Sequence, residues 1–177
     1  MKKLFKLSLL SSLLLPLLLV IICSAAIAGD SSNTSSNGSS TGKRTTLTAK
    51  EVAQKASITE ERAEDVIKIL NYQLSKEGFT LAGSTGSLAV AERESGFDPK
   101  AINTGGGVAG YFQWSGWSNT VNGDRWAQAS SRTLDADVEL QLMSTELNGA
   151  YKKVKTEMQK ATDPGDAALY WSEHYEG

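Results

Sequence analysis

Apolar residues recur at helical spacing along most of the chain after residue 47. Between Thr59 and Gly78 they fall three or four residues apart, which predicts an amphipathic helix with one buried face. Two acidic residues follow Thr59, as is typical of a helix N-terminus, and Gly78 ends the pattern. Thr48 or Ser57 can cap an earlier helical region. The apolar face of the predicted helix consists of Ala63, Val66, Ile67, Leu70 and Leu74.

A second helix is predicted from about residue 80 to residue 94. It is rich in glycine, serine and alanine, which lowers its intrinsic helix propensity but allows a neighbouring helix to approach closely. Gly96 suits the left-handed residue that ends a helix, and Pro99 suits a stop.

The rest of the chain also favours helices. Thr133 or Asp135 is expected to start one, and Asp166 is expected to cap the last one after a turn at residues 163–165. Glycines and aromatic residues between residues 101 and 126 predict turns and a short hairpin. The pattern therefore indicates a mainly helical fold with one irregular insertion. The helix after residue 133 carries on one side Val138, Leu142, Leu147, Tyr151 and Val154.

Residues 1–28 have the pattern of an export signal. Three lysines begin it, residues 7–28 carry no charge, and Ala26-Ile27-Ala28 provides the small residues of a cleavage site. The uncharged stretch also approaches the length that crosses a bilayer, so an N-terminal membrane anchor is the alternative. Pro16 and several serines favour the cleaved signal peptide.

Serine, asparagine, glycine and threonine dominate residues 29–46. Such a segment cannot bury apolar surface, so we expect a flexible linker. Residues 47–177 then form one domain of ordinary size.

The charge and the cysteine content exclude several classes of function. Without the three lysines of the export signal, 15 of the 18 Lys and Arg residues remain against 20 Asp and Glu, so the net charge is about −5. This balance argues against a nucleic acid partner. Cys23 lies in the export signal, and His174 is the only histidine. We therefore expect no zinc site of ordinary composition and no histidine-dependent catalytic triad.

Glu94 is the strongest candidate for chemistry. It shares a face of the second predicted helix with Val90 and Ala91, and it lies where that helix should end. Burial and the last carbonyl groups of the helix would both favour a protonated carboxyl group, which a general acid needs. The alternative is a glutamate whose carboxylate reaches solvent past a frayed helix end.

A segment rich in glycine and aromatic residues follows. Gln113 offers a donor and an acceptor to sugar hydroxyl or amide groups. Tyr111, Trp114 and Trp117 offer flat apolar faces on which a pyranose ring could stack. The alternative is that the aromatic rings fill the core, which we expect of at least one of Phe112 and Trp114.

Two motifs resemble a known family. They are Glu94-Ser95-Gly96-Phe97-Asp98-Pro99 and Gly110-Tyr111-Phe112-Gln113-Trp114, and they resemble the phage-tail-type lysozyme domains of Gram-positive bacteria and their mobile elements. Tyr175-Glu176-Gly177 is similar to a late Tyr-Glu element of that family. The resemblance covers about residues 58–177, with Asp98 in place of the usual asparagine.

The resemblance implies an α+β, lysozyme-like fold and a role for each matching residue. Glu94 would be the general acid that cleaves the β-1,4 bond between N-acetylmuramic acid and N-acetylglucosamine. Ser95 would orient that acid, or would only cap the last helical turn. The substrate-binding residues would be Ser95, Gly110, Tyr111, Gln113 and Trp114.

The second carboxylate of a glycosidase is not evident. Asp98 and Asp124 are candidates, although each is more simply a turn residue. Without a second acid, the C6 hydroxyl or the N-acetyl group of the sugar can take its place, so hydrolysis and transglycosylation both stay open. The alternatives are a peptidoglycan-binding module without activity and a structural part of a conjugation or secretion apparatus.

We expect peptidoglycan as the partner, with no cofactor, no metal and no nucleic acid. The protein would be an exported monomer on the cell-wall side, either secreted or tethered to the membrane through residues 1–28. The resembling family continues past its Tyr-Glu element, so we expect residues 47–177 to be a catalytic domain cut short at its C-terminus. The biological role stays open between phage entry, conjugation, wall remodelling and killing of rivals.

Overall fold

The computed structural model describes residues 47–177, so the predicted export signal and linker lie outside the described residues. Six α-helices are present in this part of the chain: α1 (Ala49–Ala56), α2 (Glu60–Tyr72), α3 (Leu81–Ser95), α4 (Ala136–Asn148), α5 (Lys152–Met158) and α6 (Pro164–Trp171). Of the helices in residues 47–177, none has the length and apolar character needed to cross a membrane.

The shorter elements lie between and after these helices. A π-helix (Gln73–Glu77) extends α2, a 3₁₀-helix spans Arg125–Gln128, and a second π-helix (Ser172–Glu176) follows α6. Three two-residue strands, β1 (Ile102–Asn103), β2 (Val108–Ala109) and β3 (Trp114–Ser115), form an antiparallel sheet in that order. The prediction of a mainly helical fold with a small β insertion is confirmed.

Side chains cap most helices as their sequences predict. Thr48 forms a capping box with Glu51 at the start of α1, and Thr59 accepts the Arg62 N–H at the start of α2. Thr80 caps α3, and the carboxylate of Asp135 caps α4. These bonds join residues two or three positions apart, so they form independently of the tertiary fold.

Two predictions about the last third of the chain were wrong. Asp163, rather than Asp166, caps α6, because its carboxylate accepts the Asp166 N–H at 2.9 Å and Pro164 supplies the first helical residue. The single helix predicted after residue 133 is two helices, α4 and α5, which separate at Gly149.

Helix α3 lies at the centre of the domain and packs along α6. Its small residues permit this contact, as predicted. A Cβ atom added to Gly86 would lie 2.5 Å from the Ala168 backbone nitrogen, and one added to Gly83 would lie 2.2 Å from the Met158 carbonyl oxygen. Gly86 therefore lets the backbone of α6 approach α3 more closely than a side chain would allow, and Gly83 does the same for the end of α5.

The aromatic residues of the insertion pack against α6 and the π-helix that follows it. Phe112 is fully buried and lies 5.2 Å from Trp171 and 5.9 Å from Tyr175, measured between ring centroids. Its ring also meets Trp114 edge-on at 5.4 Å. The insertion is thus fixed to the C-terminal part of the chain through edge-to-face and tilted ring contacts.

Candidate active site

Glu94 lies in the last turn of α3, with 26% of its side chain exposed. The helix ends here because Gly96 adopts a left-handed conformation (φ 62°) and donates its N–H to the Glu92 carbonyl oxygen. Phe97 follows, also with positive φ, and its buried ring anchors the turn. The Arg62 guanidinium closes the turn by donating to the Phe97 carbonyl oxygen at 2.9 Å.

The carboxylate of Glu94 is paired with the preceding residue. Arg93 donates from Nη2 (2.8 Å) and Nε (3.2 Å) to Glu94 Oε1. Helical spacing predicts only Val90 and Ala91 as neighbours of Glu94 on α3, because adjacent residues of a helix do not face each other. The Arg93 side chain is nevertheless long enough to bend back and reach the Glu94 carboxylate. Its Nη2 also lies 3.4 Å from Ser172 Oγ, so Arg93 connects Glu94 to the π-helix after α6.

Ser95 attaches the insertion to the end of α3. Its hydroxyl oxygen lies 3.0 Å from the Ala91 carbonyl oxygen and 2.9 Å from that of Tyr111. The first contact is the local cap bond expected as the simpler alternative. The second places the turn around Tyr111 beside Glu94. The hydroxyl hydrogen is thereby used within the protein, so Ser95 acts here by positioning the turn.

The rings of Tyr111 and Trp114 are fully buried, so the expectation that they stack on a sugar was wrong. Both residues have polar atoms that find partners inside the domain. The Tyr111 hydroxyl lies 2.5 Å from Asp65 Oδ1, and Trp114 Nε1 donates to Glu146 Oε2 at 3.0 Å. Trp117, the third aromatic candidate, is only half-buried and packs against the ring of Trp126.

Gln113 and Gly110 form the turn that faces the end of α3. Gln113 has positive φ (48°), and its Nε2 donates to the carbonyl oxygens of Ala101 (3.1 Å) and Gly110 (3.0 Å). The side-chain oxygen of Gln113 is then the atom that can accept a hydrogen bond from a ligand. Gly110 has a φ of 87°, and a Cβ there would lie 2.7 Å from the Glu139 carboxyl carbon. Glycine is therefore required at this position.

Glu139 holds this turn from the side of the core. It is not among the residues predicted from the sequence to form the site. It is fully buried on α4, and its Oε2 accepts the Tyr111 N–H at 2.8 Å. The pKa of Glu139 is raised to about 9. Burial is the main cause, and the charges of Asp135, Asp65 and Asp98 act in the same direction, while the hydrogen bond from the Tyr111 N–H opposes them. Glu139 is therefore a neutral acid at pH 7. A glutamate between Val138 and Leu140 in an apolar helix was the signal that could have found it.

We expect the Glu139→Gln variant to change how stability depends on pH. The pKa of Glu139 rises from its ordinary 4.5 to about 9 on folding. Its contribution is complete below pH 4.5 and is lost as pH rises towards 9, by up to about 1.4 kcal/mol per pH unit. Glutamine stays neutral and keeps an acceptor for the Tyr111 N–H.

Urea unfolding at pH 5 and pH 8 tests this. The variant should gain about 1–3 kcal/mol over the wild type at pH 8 relative to pH 5. Parallel pH profiles for the two proteins would contradict a neutral Glu139.

Asp98 and Asp124, the two candidates for a second carboxylate, are turn residues. Asp98 accepts the Lys100 N–H at 2.9 Å and pairs with Arg62 at 3.0 Å. Asp124 caps the 3₁₀-helix by accepting the Ala127 N–H at 3.1 Å. The simpler interpretation of each residue is confirmed.

Glu176 is a further largely buried acid of the C-terminal part of the domain. It ends the π-helix after α6, and its side chain is 15% exposed. Its Oε1 accepts the Trp171 Nε1–H at 3.3 Å, and its Oε2 lies 3.9 Å from Arg125 Nη1. The pKa of Glu176 is raised to about 8. Burial is the main cause, the Arg125 charge lowers the pKa, and the Glu94 charge raises it. Glu176 belongs to the late Tyr-Glu element, to which the sequence gives no role.

Other features of the described residues lie apart from this site. Residues 47–177 contain no cluster of three or more histidine, cysteine, aspartate or glutamate side chains that could hold a metal ion. A cavity of about 220 Å³ lies between residues 157 and 170, and none of the candidate site residues lines it. The polar side-chain groups near the end of α3 are carboxyl groups, the Arg93 guanidinium and the Gln113 amide.

Comparison with known proteins identifies the family. The profile of the family described as phage tail lysozyme matches residues 61–177, from α2 to the end of the chain. No curated protein and no solved structure matches the chain. The matched segment contains Glu94, the Gly110–Gln113 turn and Glu176, and it makes up more than half of the sequence. The chain therefore belongs to the phage tail lysozyme family, whose members are lysozyme-type enzymes acting on peptidoglycan.

Proposed function

We propose that this protein cleaves the β-1,4 bond between N-acetylmuramic acid and N-acetylglucosamine, with Glu94 as the general acid. The observation that carries the proposal is the position of Glu94 in a member of this family. Its side chain is about three-quarters buried at the end of α3, and the hydroxyl group of the next residue, Ser95, binds the turn around Tyr111 to that helix. An acid held in a fixed position beside a polar turn can protonate a bound ether oxygen.

In this mechanism Glu94 gives its proton to the glycosidic oxygen while the bond from that oxygen to C1 of the muramic acid breaks. Positive charge develops on the sugar ring, and a nucleophile then attacks C1. Water gives hydrolysis, whereas the C6 hydroxyl of the same sugar gives transglycosylation and an anhydro end. Arg93 orients the Glu94 carboxyl group through its two hydrogen bonds before substrate binds.

The candidate residues that remain accessible would form the sugar-binding surface. Tyr111 and Trp114 contribute through the turn that they anchor, because their rings are buried. The side-chain oxygen of Gln113 can accept a hydrogen bond from a sugar hydroxyl or acetamido N–H. Of the three aromatic candidates, only Trp117 keeps a partly accessible ring, although Trp126 and the Arg132 guanidinium both pack against it.

The remaining expectations complete the proposal. Residues 1–28 direct export, as a signal peptide or as a membrane anchor, and the enzyme works on the cell-wall side as a monomer. Peptidoglycan is its partner, and carboxyl chemistry requires no cofactor.

Incubation of the full chain with purified peptidoglycan tests the proposal. We expect the turbidity of the suspension to fall and soluble muropeptides to appear. Mass spectrometry of the products separates the two chemistries: reducing N-acetylmuramic ends indicate a muramidase, and 1,6-anhydro ends indicate a lytic transglycosylase. Sedimentation with the wall without release of fragments would contradict the proposal and indicate a binding module.

A further inference from the structure

Tyr111 is held at three points by three different helices. Its N–H donates to Glu139 Oε2 of α4 at 2.8 Å, and its carbonyl oxygen lies 2.9 Å from the Ser95 hydroxyl oxygen of α3. Its own hydroxyl group donates to Asp65 Oδ1 of α2 at 2.5 Å. A turn fixed at two points can still rotate about the line that joins them. The contact with Asp65 is the third point, which removes that rotation.

Asp65 also supports the turn that follows Glu94. Its Oδ2 pairs with Arg62 Nη1 at 3.2 Å, three residues earlier on α2. The same Arg62 nitrogen donates to the Phe97 carbonyl oxygen at 2.9 Å. Through one guanidinium and one phenol hydroxyl, Asp65 therefore connects the turn after Glu94 to the turn that contains Tyr111.

Burial distinguishes Asp65 from the other acids that pair with Arg62. The side chain of Asp65 is 14% exposed. Those of Asp98 and Glu61 are 43% and 76% exposed. Exposed ion pairs contribute little because water screens them, whereas breaking a buried pair leaves an uncompensated charge. Asp65 is therefore the acid that fixes the Arg62 guanidinium on α2.

The two connected turns carry the groups that the proposed reaction must bring together. Glu94 directly precedes Ser95 at the end of α3, and Gln113 follows Tyr111 by two positions. The Tyr111 residue is fully buried, so its hydroxyl group cannot contact a bound sugar. Its effect on the reaction is then exerted through Asp65. Displacing a reacting group by about 1 Å can lower a rate about 100-fold, so the separation of the two turns matters for proton transfer.

On the basis of the function proposed above, we propose that Asp65 is a positioning residue, which through Arg62 and Tyr111 holds the general acid and the sugar-binding turn at a fixed separation. Asp65 touches no substrate and transfers no proton. Its effect is on kcat. A loosened turn can still bind sugar through Gln113, whereas proton transfer needs the acid at hydrogen-bond distance from the glycosidic oxygen.

Tyr111→Phe tests this role, because it removes the hydroxyl group and leaves the ring in place. We expect kcat on a soluble oligosaccharide of alternating N-acetylglucosamine and N-acetylmuramic acid to fall about tenfold, with a change in KM of less than about twofold. Rates are compared at a temperature where thermal unfolding shows each variant to be folded.

The matched control is Tyr72→Phe, at a partly buried tyrosine of α2, which should keep the wild-type kcat. An unchanged kcat of the folded Tyr111→Phe variant would indicate a contribution to stability alone and overturn the inference. A raised KM with an unchanged kcat would also overturn it, since that result indicates substrate binding.

Asp65→Ala completes a double-mutant cycle with Tyr111→Phe. Asp65→Ala should lower kcat at least as far as Tyr111→Phe does, because it also releases Arg62. The double variant should match Asp65→Ala within about twofold, since the hydroxyl group then has no partner to lose. Losses that multiply in the double variant would show that the two residues act separately and contradict the proposal.

Amide hydrogen exchange tests the two turns without an assay of activity. The Asp98 N–H donates to the Ser95 carbonyl oxygen at 3.2 Å, and the Gln113 N–H donates to that of Gly110 at 3.1 Å. Both amides should exchange at least about threefold faster in Asp65→Ala than in the wild type. Unchanged exchange at either amide would show that Asp65 does not hold both turns.

The proposed function and the positioning role fail separately. If Glu94→Gln cleaves peptidoglycan as fast as the wild type, the proposed function fails, whatever the exchange rates are. If Glu94→Gln is inactive while folded Tyr111→Phe and Asp65→Ala keep the wild-type kcat, only the positioning role fails.

Discussion

Replacing Glu94 by glutamine is expected to slow peptidoglycan cleavage about 10²–10⁴-fold, the usual contribution of a general acid. Glutamine has nearly the same shape and keeps an oxygen for the bonds from Arg93, so the end of α3 should stay intact. What it lacks is a proton for the glycosidic oxygen. Binding to the wall should therefore change less than threefold.

The measurement compares release of soluble muropeptides with sedimentation of the protein on insoluble wall. Glu92→Gln is the matched control, because it removes a half-buried carboxyl group from the same helix. It should retain most of the activity. A Glu94→Gln variant with more than a tenth of the wild-type rate would remove Glu94 from the mechanism.

The largest loss of stability is expected from Glu146→Gln, at about 3–5 kcal/mol. Glu146 is fully buried and accepts four hydrogen bonds: two from Arg125, one from Trp114 Nε1 at 3.0 Å and one from the Tyr175 hydroxyl at 2.6 Å. Glutamine removes the charge that balances the buried Arg125, and it presents an N–H₂ group to other donors. The thermal midpoint should fall by about 10–20 °C.

Thermal and urea unfolding of the variant measure this loss. Glu64→Gln, at an exposed position of α2, should change stability by less than about 0.5 kcal/mol. Combining Glu146→Leu with Arg125→Met should recover part of the stability, because no charge is then left unpaired in the core. A Glu146→Gln variant as stable as the Glu64→Gln control would contradict the importance of this network.

The same network holds the π-helix that follows α6. Arg125 contacts Glu176 as well as Glu146, and its Nη1 donates to the Tyr175 carbonyl oxygen at 3.2 Å. Trp114 Nε1 also donates to the Tyr175 hydroxyl oxygen at 3.0 Å. The π-helix is thus held against the insertion through Arg125 and Trp114.

Local signals predicted much of the helical structure. Thr48, Thr59 and Asp135 cap their helices as their sequence positions indicate, because each capping bond joins neighbouring residues. Gly96 ends α3 for a similarly local reason, its left-handed backbone. The signals failed where two local solutions compete. Asp163 and Asp166 are both plausible caps, and the apolar pattern continues past Gly149 although the helix does not.

By itself, the sequence determined that a glutamate ends a helix of small residues and is followed by a glycine-rich turn and aromatic residues. These features depend only on residues close together in the sequence: on their helix propensity, on their spacing and on the Gly96 cap. Only the tertiary structure decided that the Tyr111 and Trp114 rings are buried. Asp65 of α2 accepts a hydrogen bond from the Tyr111 hydroxyl, and Glu146 of α4 accepts one from the Trp114 indole N–H. The tertiary structure also brought Ser172 to Arg93 beside Glu94, because that contact joins parts of the chain that are far apart in the sequence.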